Sequence, residues 1–266
     1  MMNRIAVLLL ACVACASLAR AESNLGAPVV GVTRDSLGQL RQVYGVAGNF
    51  VLRDAIIETA LNWAFDGKGG LVKTYAELLT LDRAGKVTGR RAMPRGSAIL
   101  SAGAAFFPAT SELWLIGKHP DRQIRIEPDA LGGDVVALGT PDGRSAPLAV
   151  CRANHVWLVL VDVTSNAITR ETLASGLIGD QGCAGALLWI EGNFLLARAR
   201  DLIIQTAAGD ERHLPFAGGA HGAQAAMHRA GDHWVQVEGE GAPPLLVLVT
   251  SDGEKSYRLP SVEPRP

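Results

Sequence analysis

LLTLDRAGKVTG, residues 78–89, reads as a strand, a reversal and a second strand. Residues 78–81 are apolar but for Thr80, so the first strand needs cover on both faces. Asp82 and Gly85 reverse the chain cheaply, because they tolerate turn geometry. Lys86, Val87 and Thr88 then alternate, which leaves one face to water. The same grammar recurs. Residues 113–116 lead through Pro120 and Asp121 to 123–126, and 156–161 lead through Asn166 to 168–170. Residues 202–205 lead through Gly209 to 212–214, and 245–249 lead through Asp252 and Gly253 to 256–259.

The turn markers Gly85, Asp121, Asn166, Gly209 and Gly253 lie 36, 45, 43 and 44 residues apart. Strand-built periods of about 40 to 50 residues mark β-propellers. Two more strands precede each hairpin: 60–65 and 70–74, 98–102 and 104–107, 135–138 and 148–152, 186–190 and 194–198, 224–228 and 234–237. Each unit thus has four antiparallel strands, one blade. An earlier hairpin, 28–32 and 39–43 around Asp35 and Gly38, is placed to close the ring. The expectation is an all-β chain forming a β-propeller of five or six blades, with a short helical turn somewhere in 52–62. A β-sandwich also uses short strands, but has no reason for a regular four-strand period.

Arg4, the apolar run 5–19 and the small-x-small triplet Ala19-Arg20-Ala21 form a secretory signal peptide over residues 1–21. Residues 22–266 are then a single propeller domain, exported to the periplasm or beyond. Leu9-Leu10-Ala11-Cys12 resembles a bacterial lipobox and offers a second fate, a lipid anchor at Cys12. No other stretch is long and apolar enough to read as a transmembrane helix. Losing Arg4 and Arg20 takes the formal charge from -1 to -3. With no Lys/Arg run either, nucleic acid is excluded as the expected partner. Of four cysteines, Cys12 and Cys15 fall in the leader, and export points to a disulfide between Cys151 and Cys183.

RQVYGVAGNFVL, residues 41–52, and FPATSEL, residues 107–113, resemble phrases of uncharacterised secreted bacterial β-propeller proteins. The resemblance implies a propeller and an exported address. It carries over no catalytic residues.

No Gly-x-Ser-x-Gly elbow and no phosphate-cradling glycine loop is present. No catalytic residue is assigned, and no cofactor is expected. His221, His228 and His233 fall within 13 residues, but their spacing matches no standard metal motif. They read as surface histidines of loops and strand ends, not as metal ligands. Asp66-Gly67, Asp142-Gly143 and Asp252-Gly253 are turns, since no calcium-loop series surrounds them. Trp63, Trp114, Trp157, Trp189 and Trp234 fall one per unit but in different strand positions, so they read as packing between blades instead of a ring of sugar platforms.

The expected role is a non-catalytic binding or scaffold module for an extracytoplasmic protein or glycan. The alternative is a propeller enzyme, a lactonase- or glycosidase-like hydrolase with its site in the central channel. That alternative needs carboxylates such as Asp134, Asp180 or Glu191 to point inward. A purely structural envelope role is the third reading.

Overall fold

The structure, a computed structural model, describes residues 28–117, 121–174, 186–190, 193–197, 201–205, 210–215, 226–238, 244–250 and 253–260. It is all-β and propeller-like. Strands β1 (Val29–Arg34), β2 (Leu40–Val46) and β3 (Asn49–Ile57) form a three-stranded sheet at the start of the chain. Four-stranded antiparallel groups follow. The first comprises β4 (Asn62–Phe65), β5 (Gly69–Lys73), β6 (Glu77–Asp82) and β7 (Val87–Ala92). Next come β8 (Ile99–Ser101), β9 (Ala104–Phe107), β10 (Glu112–Leu115) and β11 (Arg122–Arg125). The third group is β12 (Asp134–Leu138), β13 (Ser145–Arg152), β14 (His155–Asp162) and β15 (Ile168–Ala174). It is followed by β16 (Ala186–Ile190), β17 (Asn193–Ala197), β18 (Asp201–Gln205) and β19 (Glu211–Pro215). The last is β20 (Ala226–Arg229), β21 (Trp234–Glu238), β22 (Leu245–Thr250) and β23 (Gly253–Arg258).

The first strands of these groups meet in a closed cycle: β4 touches β8, β8 touches β12, β12 touches β16, β16 touches β20, and β20 returns to β4. The last step is a parallel bridge between Arg229 and Ala64, which fuses the first and last groups into one eight-stranded sheet.

Alternate side chains of each strand serve opposite neighbours, which is why the third strands are apolar almost throughout. Leu79 and Leu81 pack with Val32 and Trp63, whereas Leu78, in the opposite phase, packs with Leu100 and Phe107. Leu113 and Leu115 join Val135 and Val159, while Trp114 turns to the Leu71 side. Each buried leucine of this kind stabilises by roughly 1.5–3 kcal/mol. The fourth strands alternate, as β7 does, and meet water on one side.

The first sheet sits over the seam between the first and last groups. Val32 N–H donates to the Ala230 carbonyl at 2.8 Å. The backbones approach so closely at Gly31 that a Cβ there would stand 1.7 Å from the Ala230 oxygen. The ring closes directly through β4 and β20, and the expected closing hairpin, β1 with β2, buttresses that joint from outside.

Two local expectations are corrected. Residues 52–62 hold no helical turn: β3 runs to Ile57 and β4 begins at Asn62. Exposure alternates along residues 49–53 of that strand. Phe50 and Leu52 pack with Trp234 and Leu246, while Val51 between them is exposed. Conversely, a one-turn helix, α1 (Pro128–Leu131), precedes β12. Pro128 opens it and Gly132 closes it at φ 62°, the usual proline–glycine asymmetry, and Leu131 fills the core beside Val150.

Candidate functional site

An open cavity of about 380 Å³ lies at the C-terminal ends of several first strands of the ring. Its walls come from four groups: Asp66 and Lys68 between β4 and β5, Gly139, Thr140 and Pro147 around the β12–β13 turn, Trp189 on β16 and Arg229 on β20. The cavity therefore lies at the mouth of the central channel.

Asp66 sits at an Asx-type turn. Its Oδ1 accepts the N–H groups of Lys68 at 3.0 Å and Gly69 at 3.2 Å, fixing the carboxylate at the rim. The Arg229 guanidinium donates from Nε to the Gly231 carbonyl and from Nη2 to that of Asp232, each at 3.3 Å. The Asp232 carboxylate lies against Gly67, where a Cβ would stand 2.7 Å from it. Across the mouth, Trp189 covers Gly139. A Cβ at Gly139 would meet the indole at 3.2 Å and Pro147 Cγ at 2.8 Å, so only glycine leaves room. Phe194 packs on the same indole with centroids 4.9 Å apart. The ring is thus held from two sides before any ligand arrives.

A second polar cluster lies buried at the seam. Gln236, fully buried, imitates a neighbouring strand: its Oε1 accepts from Arg34 N–H at 2.8 Å, and its Nε2 donates to the Arg34 carbonyl at 2.8 Å. Thr33 donates to the same Oε1, and Arg34 pairs with Glu238. His228 stacks on Trp63. Asn62 Nδ2 donates to the Ala98 carbonyl at 2.8 Å, so Asn62 Oδ1 is the acceptor facing His228 Nδ1, also at 2.8 Å. That assigns the proton to Nδ1 and the lone pair to Nε2. Neither His228 Nε2 nor Trp63 Nε1 has a partner among the described residues. Burial first, and the nearby Arg34 charge second, push the His228 pKa down to about 3. Lys73, wholly buried on β5, donates to the carbonyls of Thr74 and Tyr75, and its pKa is lowered by desolvation.

The expectation of surface histidines fails at His228, which is 5% exposed. Position 228 falls where β20 faces the first group, a tertiary fact that local spacing does not carry. His233 is exposed, and His221 lies outside the described residues. Among the described residues no three His, Cys, Asp or Glu side chains converge on a metal-sized point. Asp134 is exposed at the start of β12, the opposite end of that strand from Gly139. Asp180 and Glu191 lie outside the described residues, as does Cys183. Cys151 is half-buried on β13, paired across to Val156 and Asp134. Sequence reasoning missed Asp66, Lys68, Thr140, Trp189 and Arg229 as a set. The one available signal was the recurrence of polar turns after each first strand.

No family model matches the chain, and no curated protein does. Among solved structures, it is similar to PorZ, a surface component of the type-IX secretion system of Porphyromonas gingivalis, at 11% identity and TM-score 0.47, covering 89% of this chain and 34% of that one. It is also similar to virginiamycin B lyase from Staphylococcus aureus, at 10% identity and TM-score 0.42, covering 88% and 85%. The Pan2 WD40 domain of Neurospora crassa gives 12% identity and TM-score 0.43, covering 88% and 79%. These likenesses are loose; the fold rests on the strand order and the cycle of first-strand contacts. Among the described residues no helix is long and apolar enough to cross a membrane.

Proposed function

We propose that this chain is an exported five-bladed propeller that acts as a non-catalytic binding module through the mouth of its central channel. The observation that carries the reading is the cavity whose walls are drawn from four groups and join a clamped indole, Trp189, to Asp66, Lys68, Thr140 and Arg229. Its volume is within the range of small-ligand sites, and few polar groups around an apolar wall is the usual make-up of such sites. The cycle of five first strands supports the blade number, with β1–β3 as an additional sheet. Residues 1–21 serve as the export leader, 22–266 as the mature domain, and Cys151 with Cys183 as its disulfide. The hydrolase alternative needs paired carboxylates; the described cavity lining supplies one, Asp66, and no specific observation favours a second.

The test separates the mouth from the outer loops. The mature chain is immobilised and exposed to envelope extract beside a Thr140→Trp variant, whose indole fills the cavity. Capture of material by the parent and its loss in the variant supports a mouth site. Equal capture by both assigns binding to the outer loops instead.

A further inference from the structure

The proposal that follows rests on the mouth being a binding site and asks what chemistry it takes. Three of its polar groups have unused capacity. The Lys68 ammonium and the Thr140 hydroxyl make no hydrogen bond among the described residues, and Asp66 engages only its Oδ1. They include a donor, an acceptor and a hydroxyl that is both. Beside them stands the edge-held indole of Trp189, an apolar platform already fixed by Gly139 and Phe194.

Charge narrows the ligand. Lys68 and Arg229 stand with Asp66 in the lining, and the Asp232 carboxylate is one residue further out, against Gly67. Two cations and two carboxylates thus stand in or beside the lining, so a strongly anionic ligand such as a nucleotide meets repulsion as well as attraction. An apolar ligand would desolvate Asp66 and Lys68 without replacing their hydrogen bonds. A neutral pyranose satisfies both demands. One face presents C–H groups to an indole, and its hydroxyls each donate and accept, so a carboxylate and an ammonium can bracket the same ring edge.

We infer that the channel mouth binds a neutral hexopyranose, free or as the end of a glycan, with its ring on Trp189 and its hydroxyls on Asp66, Lys68 and Thr140.

The experiment is an NMR titration of the mature protein with glucose, galactose, mannose and N-acetylglucosamine, their short oligomers, and adenosine monophosphate as an anionic, stacking control. At least one neutral sugar is expected to bind with a Kd of about millimolar, the affinity that a dozen heavy atoms allow. Trp189→Ala should weaken it about tenfold, and Trp189→Phe should restore most of the loss. Asp66→Asn should also weaken it, and circular dichroism confirms that each variant is folded. If the nucleotide binds at Trp189 and no sugar does, the sugar assignment falls while the mouth site stands. If Thr140→Trp leaves sugar binding intact, the sugar sits elsewhere and the assignment is wrong. If neither sugar nor nucleotide perturbs the folded parent, the assignment falls as well, and the capture assay alone decides the mouth reading.

Discussion

His228 lies face to face with Trp63, ring centroids 3.7 Å apart and planes inclined by 17°, at the joint between the last and first strand groups. The contact joins residues 165 positions apart in sequence, at the place where the ring closes. The groups facing His228 are Trp63 and Asn62 from β4 and Arg34 from β1, with Glu238 of β21 behind Arg34.

The first prediction follows from that burial. In the folded chain His228 titrates at about 3, against 6.5 for an ordinary histidine. Between those values the unfolded chain takes up a proton that the folded chain refuses. The folded state is therefore fully favoured above about pH 6.5 and loses up to roughly 1.4 kcal/mol per pH unit below it. Urea midpoints measured from pH 7 to pH 4 should fall accordingly. His228→Phe keeps a ring on Trp63 and removes the titration, so its midpoint should depend less steeply on pH. A parallel pH dependence in both proteins would show that His228 is not the group responsible.

Gln236 supplies the second prediction. Its amide stands in for a strand and pairs both the N–H and the carbonyl of Arg34. Gln236→Leu fills similar space but leaves those two backbone groups and the Thr33 hydroxyl with one partner fewer. The expected cost is several kcal/mol, since each buried group left unsatisfied costs roughly 1–3 kcal/mol. Hydrogen exchange should report it first at the β1 amides, among them Val32, which donates to the Ala230 carbonyl. A midpoint within error of the parent would mean that water replaces the amide without loss.

Much of this was legible beforehand, for a physical reason. A strand covered on both faces by neighbouring groups must be apolar at successive positions, as residues 78–81 and 113–116 are, and the turns between such strands need Gly, Asn or Asp. Those demands are local, so the strands of each unit are found within a few residues of their expected places. Residues 52–62 misled because Arg53 and Asp54 dilute the strand and Glu58 follows directly after it. The mouth was illegible for a different reason. Asp66, Thr140, Trp189 and Arg229 come from separate groups, and each alone looks like a turn or packing residue. Only closure of the ring brings them to one cavity. His228 is the same case in the core: its strand, β20, is short, and what it faces is decided more than 160 residues earlier in the chain.

Gly139→Ala is the third prediction. The added methyl would stand 2.8 Å from Pro147 Cγ and 3.2 Å from the Trp189 indole, so the indole must shift. Overpacking of this size costs roughly 1–3 kcal/mol. The near-ultraviolet dichroism of the tryptophans should change, and any ligand seated on Trp189 should bind several-fold more weakly. Gly89→Ala, whose Cβ would meet only Thr80 at an ordinary 3.6 Å and whose φ is not positive, tests glycine loss without crowding an aromatic ring. An unchanged spectrum in Gly139→Ala would show that the indole is not held by this contact.

The two-residue reversal between β13 and β14 gives the fourth. Arg152 pairs with His155, and between them Ala153 and Asn154 adopt φ values of 46° and 65°. Two consecutive positive φ angles are those of the hairpin turn that matches strand twist, and its usual occupants are Asn and Gly. Asn154 fits, but Ala153 is held in the left-handed region, where an alanine Cβ crowds the backbone at a cost of about 1–2 kcal/mol. Ala153→Gly should relieve that crowding, although glycine also gains freedom in the unfolded chain, which offsets part of the gain. The expected net effect is an increase of about 0.5–1 kcal/mol in unfolding free energy, read from urea denaturation. A loss of stability would mean that the turn is not left-handed at Ala153.

The proposed bridge between Cys151 and Cys183 provides the last prediction. It would close a loop of 32 residues across the third and fourth groups. In the chain-entropy account such a loop stabilises by roughly 3–4 kcal/mol, because the unfolded chain loses that much freedom. Exported protein, alkylated without reduction, should keep the intact mass of the unmodified oxidised chain, and reduction should open both thiols together. Cys151→Ala should then lower the urea midpoint by an amount similar to that caused by reducing the parent, and reducing the variant should change nothing further. Alkylation of both cysteines before reduction would rule the bridge out.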